Sequence, residues 1–275
     1  MTADLSAFFM PGVAGDIFAL ARGPWARVAD HRQAVLLLPP FAEEMNRSRR
    51  LMAELAMALA LRDVPTLCCD LHGTGDSAGD FSAARWQVWL DDSRRAIAWM
   101  RGQGAPAITV LGIRLGGLLA LELAAAADRL CLLAPQLDGA QAMRQFLRIR
   151  LAADMERRQR GGQAGPSMAM LEQDLQAGGH VTIAGYELDG ALYRAIVTRN
   201  VKTALPASCP PIDWIGVAAN TSPDAESLAR QAAPLPGATL HGLSGPPVWG
   251  QLEPAPAAEL ALAVAAIVAP DREPG

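Results

Sequence analysis

Short apolar runs alternate with amphipathic segments along most of the chain. Ala34–Leu38 is wholly apolar and stops at Pro39, which is typical of a strand buried on both faces of a parallel sheet. From Asn46 to about Leu61 the apolar positions follow a helical spacing, and Asn46 is a candidate N-cap. Repeats of this pattern predict parallel strands at 34–38, 66–70, 107–111, 130–134, 212–217 and 238–242. Strands separated by helices predict a doubly wound α/β sheet.

Three segments depart from this alternation. Ala7–Met10 and Asp16–Ala21 flank Pro11–Gly12, which predicts an antiparallel hairpin. Residues 138–208 are polar, helical and then glycine-rich, so we expect an insertion that caps the carboxyl edge of the sheet. A helix from about 256 to 268 follows the last strand. The chain is long enough for one large domain, and we expect residues 1–275 to form it.

Composition narrows the classes of function. The formal net charge is -4, which disfavours a nucleic-acid partner. The longest apolar stretches, 115–127 and 260–270, are too short to span a bilayer, and the N-terminus lacks the pattern of a secretory signal. No metal-ligand spacing occurs among the histidines and cysteines, so we expect neither metal nor cofactor. These features predict a cytoplasmic protein with buried, reduced thiols, which are Cys68, Cys69, Cys131 and Cys209.

Three motifs lie at the carboxyl ends of predicted strands. Leu38-Pro39-Pro40-Phe41-Ala42-Glu43-Glu44 follows the first, and Asp70-Leu71-His72-Gly73-Thr74-Gly75-Asp76-Ser77-Ala78-Gly79 follows the second. Gly112-Ile113-Arg114-Leu115-Gly116 joins the third strand to a helix. Together they resemble the α/β-hydrolases, in which the first segment forms the oxyanion loop and the third is the G-x-S-x-G nucleophile elbow. The resemblance implies an α/β-hydrolase fold with a helical cap and the hydrolysis of ester, thioester or amide bonds.

A longer segment narrows the resemblance. Pro39-Pro40-Phe41-Ala42-Glu43-Glu44-Met45-Asn46-Arg47-Ser48-Arg49-Arg50 is similar to the second hydrolase associated with exosortase A systems of Gram-negative bacteria. This similarity implies a link to protein sorting and exopolysaccharide production. It also implies exosortase or exopolysaccharide pathway proteins as partners.

The elbow carries Arg114 where active members of the family carry serine. A guanidinium stays protonated in proteins, so it cannot attack a carbonyl carbon. The family's histidine follows the last strand, and Pro247 stands about there. His72 and His241 remain as candidate bases, and Asp138 and Asp224 remain as candidate acids.

Arg114 has two interpretations that are compatible with each other. It can form a structural ion pair with Glu43 or Glu44 on the facing loop, or it can bind a carboxylate or phosphate group of a ligand. We expect a hydrogen bond to at least one of these glutamates at roughly 2.7–2.9 Å. The resemblance also places the backbone N–H groups of Phe41 and Leu115 in an oxyanion hole.

Other candidate residues have a structural interpretation beside the functional one. His72 suits a hydrogen-bonding role in its glycine-rich turn. Arg47, Arg49 and Arg50 form either a solvated helix face or a docking patch. Trp86 and Trp89 share a helix face and either fill the core or line an acyl pocket.

Three functions are compatible with these residues. The chain is a hydrolase, or a non-catalytic pseudo-hydrolase that binds a small anionic or acyl ligand, or a module that binds a pathway protein. The chemistry of the elbow favours the second.

Overall fold

The computed structural model describes residues 4–206, 208–251 and 256–270. These residues form ten strands: β1 Leu5–Pro11, β2 Asp16–Arg22, β3 Ala34–Leu38, β4 Thr66–Cys69, β5 Ile108–Ile113, β6 Arg129–Leu133, β7 His180–Ile183, β8 Tyr186–Asp189, β9 Ile212–Ala218 and β10 Thr239–Ser244. Eight of them make one sheet in the order β1-β2-β4-β3-β5-β6-β9-β10. β1 and β2 form the predicted antiparallel hairpin, and β2 pairs antiparallel with β4. The remaining pairs are parallel, which confirms the mostly parallel sheet and its six predicted strands.

Helices cover both faces of the sheet, as the wholly apolar central strands require. The described residues form α1 Glu43–Ala60, α2 Trp86–Gly102, α3 Gly116–Glu122, α4 Gly139–Gln159, α5 Met168–Gln176, α6 Gly190–Val197, α7 Val201–Ala204, α8 Ala225–Ala232 and α9 Ala258–Val268. α1 and α9 share one apolar core, and α2, α3, α8 and the insertion share the other. α1 begins before Asn46, which is therefore inside the helix and not its N-cap.

The insertion lies outside the large sheet, as expected. It contains α4 to α7 and also a hairpin, in which β7 and β8 pair only with each other among the described residues. The helical prediction missed this hairpin. β7 alternates exposed and buried residues, and the turn at Ala184 (φ 48°) and Gly185 (φ 88°) is left-handed at both positions, as type I′ hairpin turns require. Residue 207 lies outside the described residues, and the single-domain assignment stays a prediction.

Within the ranges given above, no helix is both long and apolar enough to cross a membrane.

Candidate active site

The turn from β5 into α3 has the geometry of a nucleophile elbow. Arg114 has φ 56°, a left-handed conformation that costs a side-chain-bearing residue about 1–2 kcal/mol. Its N–H donates to the carbonyl of Leu133 at 3.0 Å, and its own carbonyl accepts from the N–H of Gln136 at 3.0 Å. These bonds to the end of β6 and the segment after it hold the strained residue in place. The turn therefore lifts its side chain above the sheet as the resemblance implies.

The elbow needs glycine at two positions because neighbouring backbone atoms lie too close for a side chain. A Cβ on Gly112 would lie 2.4 Å from the carbonyl oxygen of Gly116. A Cβ on Gly116 would lie 2.5 Å from the carbonyl oxygen of Pro39 and 2.8 Å from that of Leu38. The elbow and the oxyanion loop are therefore packed backbone against backbone, with no room for a side chain between them.

The Arg114 guanidinium forms a bidentate ion pair with Glu44, which is one of the two partners expected from the sequence. Its Nε and Nη2 donate to the two carboxylate oxygens at 3.2 Å each, and Nη1 donates to the carbonyl of Ala134 at 3.0 Å. Pairing with one of the glutamates is confirmed, at a longer distance than expected. Glu43 instead accepts from Arg47 at 3.2 Å. Ala134 is itself left-handed (φ 43°), so backbone strain clusters around this side chain.

Trp249 covers the guanidinium of Arg114. The carbon at the centre of the guanidinium lies 5.3 Å from the centroid of the indole ring, within the range of a cation–π contact. Trp249 belongs to the short segment after β10, where the resemblance places the histidine of a catalytic triad. Sequence analysis did not single it out, because nothing in the local pattern links it to Arg114.

His241 does not reach the elbow. It shares a row of the sheet with Ile113, but β6 and β9 lie between their strands, which separates the two backbones by about 14 Å. Its Nε2 is 2.7 Å from Oδ1 of Asp213, and Asp213 also accepts from Arg129 at 2.7 Å. The imidazole is thus held in an ion-pair cluster away from Arg114.

His72 is buried beneath the glycine-rich turn. Its ring occupies the space where a Cβ of Gly79 would lie, and its carbonyl accepts from Nε1 of Trp89 at 2.9 Å. Its Nδ1 has no partner among the described residues. No hydrogen bond brings His72 together with Arg114 in the described part of the chain, so its contacts are those of a loop-supporting residue.

The two candidate acids cap helices. Oδ1 of Asp138 accepts from the N–H of Gln141 at 2.9 Å at the start of α4. Oδ1 of Asp224 accepts from the N–H of Ser227 at 2.7 Å at the start of α8. Side-chain acceptors at this position satisfy helix N–H groups that otherwise lack a partner. Neither aspartate meets a histidine in the hydrogen bonds of the described residues.

Two backbone N–H groups lack a partner where the resemblance places an oxyanion hole. The N–H groups of Phe41 and Leu115 donate to no acceptor among the described residues, although both residues are buried. Phe41 and Leu115 line a mostly apolar cavity of about 20 Å³ and a second cavity of about 70 Å³. Both cavities are far smaller than the roughly 300–1,000 Å³ of ligand pockets.

An aromatic cluster lies beside these cavities. Phe41 contacts Phe146 of α4 in the insertion, with ring centroids 5.1 Å apart, and Phe81 at 5.7 Å. Tyr186 of the hairpin contacts Phe81 at 4.9 Å. These edge-to-face contacts join the insertion to the oxyanion loop. Trp86 and Trp89 are buried beneath them and also line the small cavity, so they fill the core and form its wall.

The twelve-residue segment 39–50 connects the parts of the site. Beyond the ion pair of Glu44, Asn46 donates to the hydroxyl of Tyr186 at 2.7 Å and Arg49 pairs with Asp70 at 3.1 Å. Arg47 and Arg50 pair with acidic residues one helical turn away. All three arginines are therefore neutralised within the chain, which favours the solvated-face interpretation over a docking patch.

The glycine-rich turn after β4 is a scaffold around Asp70. The carboxylate of Asp70 accepts from the N–H of Asp76 at 3.0 Å, and its carbonyl accepts from the hydroxyl of Ser77 at 2.7 Å. A Cβ on Gly75 (φ 54°) would lie 1.8 Å from that carboxylate. The motif thus folds a loop at the edge of the site and adds no nucleophile.

No group of histidine, cysteine, aspartate and glutamate that could hold a metal ion occurs within the described ranges.

Comparisons with solved structures show the same fold. Est1E from Butyrivibrio proteoclasticus, determined with ferulic acid bound, has a TM-score of 0.65 at 15% identity, and the match covers 95% of this chain and 97% of Est1E. The thioesterase domain from the curacin biosynthetic pathway has a TM-score of 0.55 at 17% identity, over 96% of this chain and 99% of that domain. XC6422 from Xanthomonas campestris, an α/β serine hydrolase without a lid, has a TM-score of 0.54 at 15% identity, over 99% of both chains.

Sequence comparison identifies the family. No curated protein matches the chain significantly. Residues 29–173, just over half of the chain, match the family model of the serine aminopeptidases S33. This match includes the oxyanion loop, the glycine-rich turn and the elbow. The chain therefore belongs to the serine aminopeptidase S33 family of α/β-hydrolases.

Proposed function

We propose that this chain is a non-hydrolytic member of its family that binds a small anionic ligand beside Arg114. The observation that carries the proposal is the occupied elbow: a guanidinium paired with Glu44 and covered by Trp249 stands where the nucleophile and the base would act. A protonated guanidinium has no lone pair with which to attack a carbonyl carbon. Without a nucleophile and a base, an enzyme of this type retains only what its oxyanion hole and substrate binding provide.

The identity of the ligand follows from the space and charge around the elbow. The two cavities lined by Phe41 and Leu115 have about 20 and 70 Å³, well below the roughly 300–1,000 Å³ of ligand pockets, which argues against an acyl chain. Three N–H groups of the guanidinium are engaged by Glu44 and Ala134, and a guanidinium has five. The remaining two suit an anionic oxygen, so we infer an anionic ligand and not an acyl one.

Hydrolysis of an ester or thioester is the second candidate function. The unpaired N–H groups of Phe41 and Leu115 support it, because two such donors can stabilise the oxyanion that forms on a reacting carbonyl. Est1E with its bound ferulic acid and the curacin thioesterase domain offer esters and thioesters as substrates to test. This function would require a nucleophile other than residue 114.

The experiment is a panel of aryl esters and acyl thioesters, run beside a fluorophosphonate probe on the wild-type protein and on Arg114→Ser. We expect hydrolysis by the wild type near the uncatalysed rate and no labelling. Arg114→Ser should stay far below an ordinary kcat of about 10 s⁻¹, because no histidine reaches the elbow. Labelling of any serine in the wild type, or turnover at that ordinary rate, would overturn the proposal.

We also propose that the protein works in the cytoplasm of a bacterium that has an exosortase A system and makes exopolysaccharide. The segment 39–50 supports this assignment, through its similarity to that subfamily. A third possibility, that the insertion binds a pathway protein, shares this setting. Deletion of the gene should change exopolysaccharide output, and unchanged output with intact protein sorting would contradict the assignment.

A further inference from the structure

A larger space also adjoins Arg114. It is a groove of about 580 Å³ between the start of α4, α7 and the α8–β10 side of the sheet, and Arg114 forms part of its wall. This volume falls within the range of small-molecule sites. The small cavity at the oxyanion loop has about 20 Å³, so the groove is where a ligand of several carbon atoms would fit.

The wall of the groove is rich in carboxamides. The carboxamide side chains that line it are Gln136, Gln141, Gln145, Asn200 and Gln231. A carboxamide offers a donor and an acceptor side by side, which suits a hydroxyl group that must both donate and accept. The Nε2 group of Gln136 donates to Oε1 of Gln145, and the Nε2 group of Gln231 donates to the hydroxyl of Ser227 at 3.2 Å. The amide groups left for a ligand are the side chain of Gln141, which makes no hydrogen bond with any other described residue, and the Nδ2 group of Asn200, which is unpaired within those ranges.

One cationic group in the wall lacks a partner. Lys202 is the single lysine of the chain, and its ammonium group forms no ion pair in the described ranges. Asp138 is the acidic residue of the wall, and it already caps α4.

We propose that this groove binds a small polyhydroxylated anion, a polyol or sugar that carries one carboxylate or phosphate. Lys202, with the free N–H groups of Arg114, meets the anionic group, and the carboxamides meet the hydroxyls. Glu44 already neutralises much of the charge of Arg114, so Lys202 is the main cation. This inference rests on the proposed function and names the ligand class for the same elbow.

The experiment measures binding of D-gluconate, D-glucuronate, D-glucose 6-phosphate, D-glucose and acetate by calorimetry and by tryptophan fluorescence. We expect one or more of the three charged sugars to bind, and D-glucose and acetate each to bind at least about tenfold more weakly, because each lacks one kind of partner. The two sugar carboxylates and the sugar phosphate separate the possible sources of the anionic group. Lys202→Gln should weaken binding about fivefold.

Two controls keep the outcome interpretable. Arg158→Gln removes the same charge from the insertion, but about 20 Å along α4 from Gln145, and should leave binding unchanged. Trp214→Phe should abolish the fluorescence response while calorimetry still detects binding. Absence of binding by every charged sugar at 10 mM (roughly the weak end of ligand affinities), or equal binding of D-glucose, overturns the groove assignment. Binding followed by chemical conversion of the sugar would instead overturn the proposed lack of catalysis, so the two failures are distinguishable.

Discussion

Arg114 combines a strained backbone conformation with a charged side chain that is largely shielded from water. The elbow forces the side chain upward at φ 56°, into a space shared by three segments, and a guanidinium in such a space requires compensation. Glu44 supplies the opposite charge, Ala134 supplies a carbonyl and Trp249 supplies the face of an aromatic ring. These three contacts come from different parts of the chain. Through them, Arg114 connects the elbow to the oxyanion loop, to the end of β6 and to the segment after β10.

Glu44→Gln should lower the free energy of unfolding by about 1–3 kcal/mol. The change removes the charge that compensates Arg114, whose side chain is 17% exposed and so only partly solvated by water. Urea denaturation of the variant and the wild type measures the difference. The matched control is Glu43→Gln, which breaks a similarly buried pair with Arg47 one helical turn away; ion pairs at this spacing within a helix are worth about 0.3–0.5 kcal/mol. Equal losses in the two variants would contradict the role assigned to Glu44.

Thiol reactivity should separate the four cysteines at the residue scale. Burial raises the pKa of the Cys131 thiol to about 12 and that of Cys69 well above its usual range, so neither forms the reactive thiolate near neutral pH. Burial and the nearby Asp70 also raise the pKa of Cys68 to about 12, whereas Cys209 is exposed. Titration with an aromatic disulfide reagent at pH 8 should detect one fast thiol, and none in Cys209→Ser. Two or more fast thiols in the native wild type would contradict this assignment.

At the scale of elements, the site depends on how closely α3 approaches the oxyanion loop. α3 begins at Gly116, directly beneath the carbonyls of Leu38 and Pro39 at the end of β3. The parallel pairing of β3 with β5 sets this approach, because it places the ends of both strands side by side. Gly116 is therefore needed so that α3 can pack against the end of β3. This need is the same whether residue 114 is serine or arginine.

Gly116→Ala should destabilise the protein by about 1–3 kcal/mol. The new methyl group would lie 2.5 Å from a backbone oxygen, which cannot turn aside as a flexible side chain could. Thermal and urea unfolding measure the loss. Gly102→Ala, in the last turn of α2 with open space around it, should be neutral or stabilising by up to about 1 kcal/mol. A harmless Gly116→Ala variant would show that the loops are not packed as described.

Over the whole molecule, the insertion is held on the sheet by aromatic and polar contacts to the segment 39–50. Phe146 and Tyr186 of the insertion meet Phe41 and Phe81, and Asn46 donates to the hydroxyl of Tyr186. Phe146 also lines the cavity of about 70 Å³ next to Phe41 and Leu115. The docking of the insertion thus limits the space beside the oxyanion loop.

Phe146→Ala should loosen the insertion and open the closed side of the site. Loss of a buried phenyl ring costs about 3–5 kcal/mol and leaves an apolar cavity next to Phe41. Trypsin should then cleave the arginine-rich α4 faster, and an apolar dye should bind more strongly. Met170→Ala removes an exposed side chain from α5 and is the control, with unchanged cleavage and stability. Cleavage of Phe146→Ala at the wild-type rate would contradict this account of how the insertion is held.

The sequence by itself determined the alternating strands and helices, the position of the elbow and the presence of Arg114 in it. These features depend on periodicity and motif spacing, which act over a few residues and are readable without contacts. The sequence also predicted an ion pair of Arg114 with Glu43 or Glu44. It could not distinguish between them, because either carboxylate would neutralise the guanidinium. The hairpin of the insertion was missed, although its alternating residues and Ala184-Gly185 turn carried the signal.

Only the tertiary structure decided the arrangement of the site. It selected Glu44 over Glu43, placed Trp249 on the guanidinium and kept His241 about three strands from the elbow. It also packed aromatic rings beside the oxyanion loop and left a groove of about 580 Å³ next to Arg114. Each of these outcomes depends on contacts between segments far apart in the chain. Such contacts are set by how helices and the insertion pack on the sheet, which local periodicity does not encode.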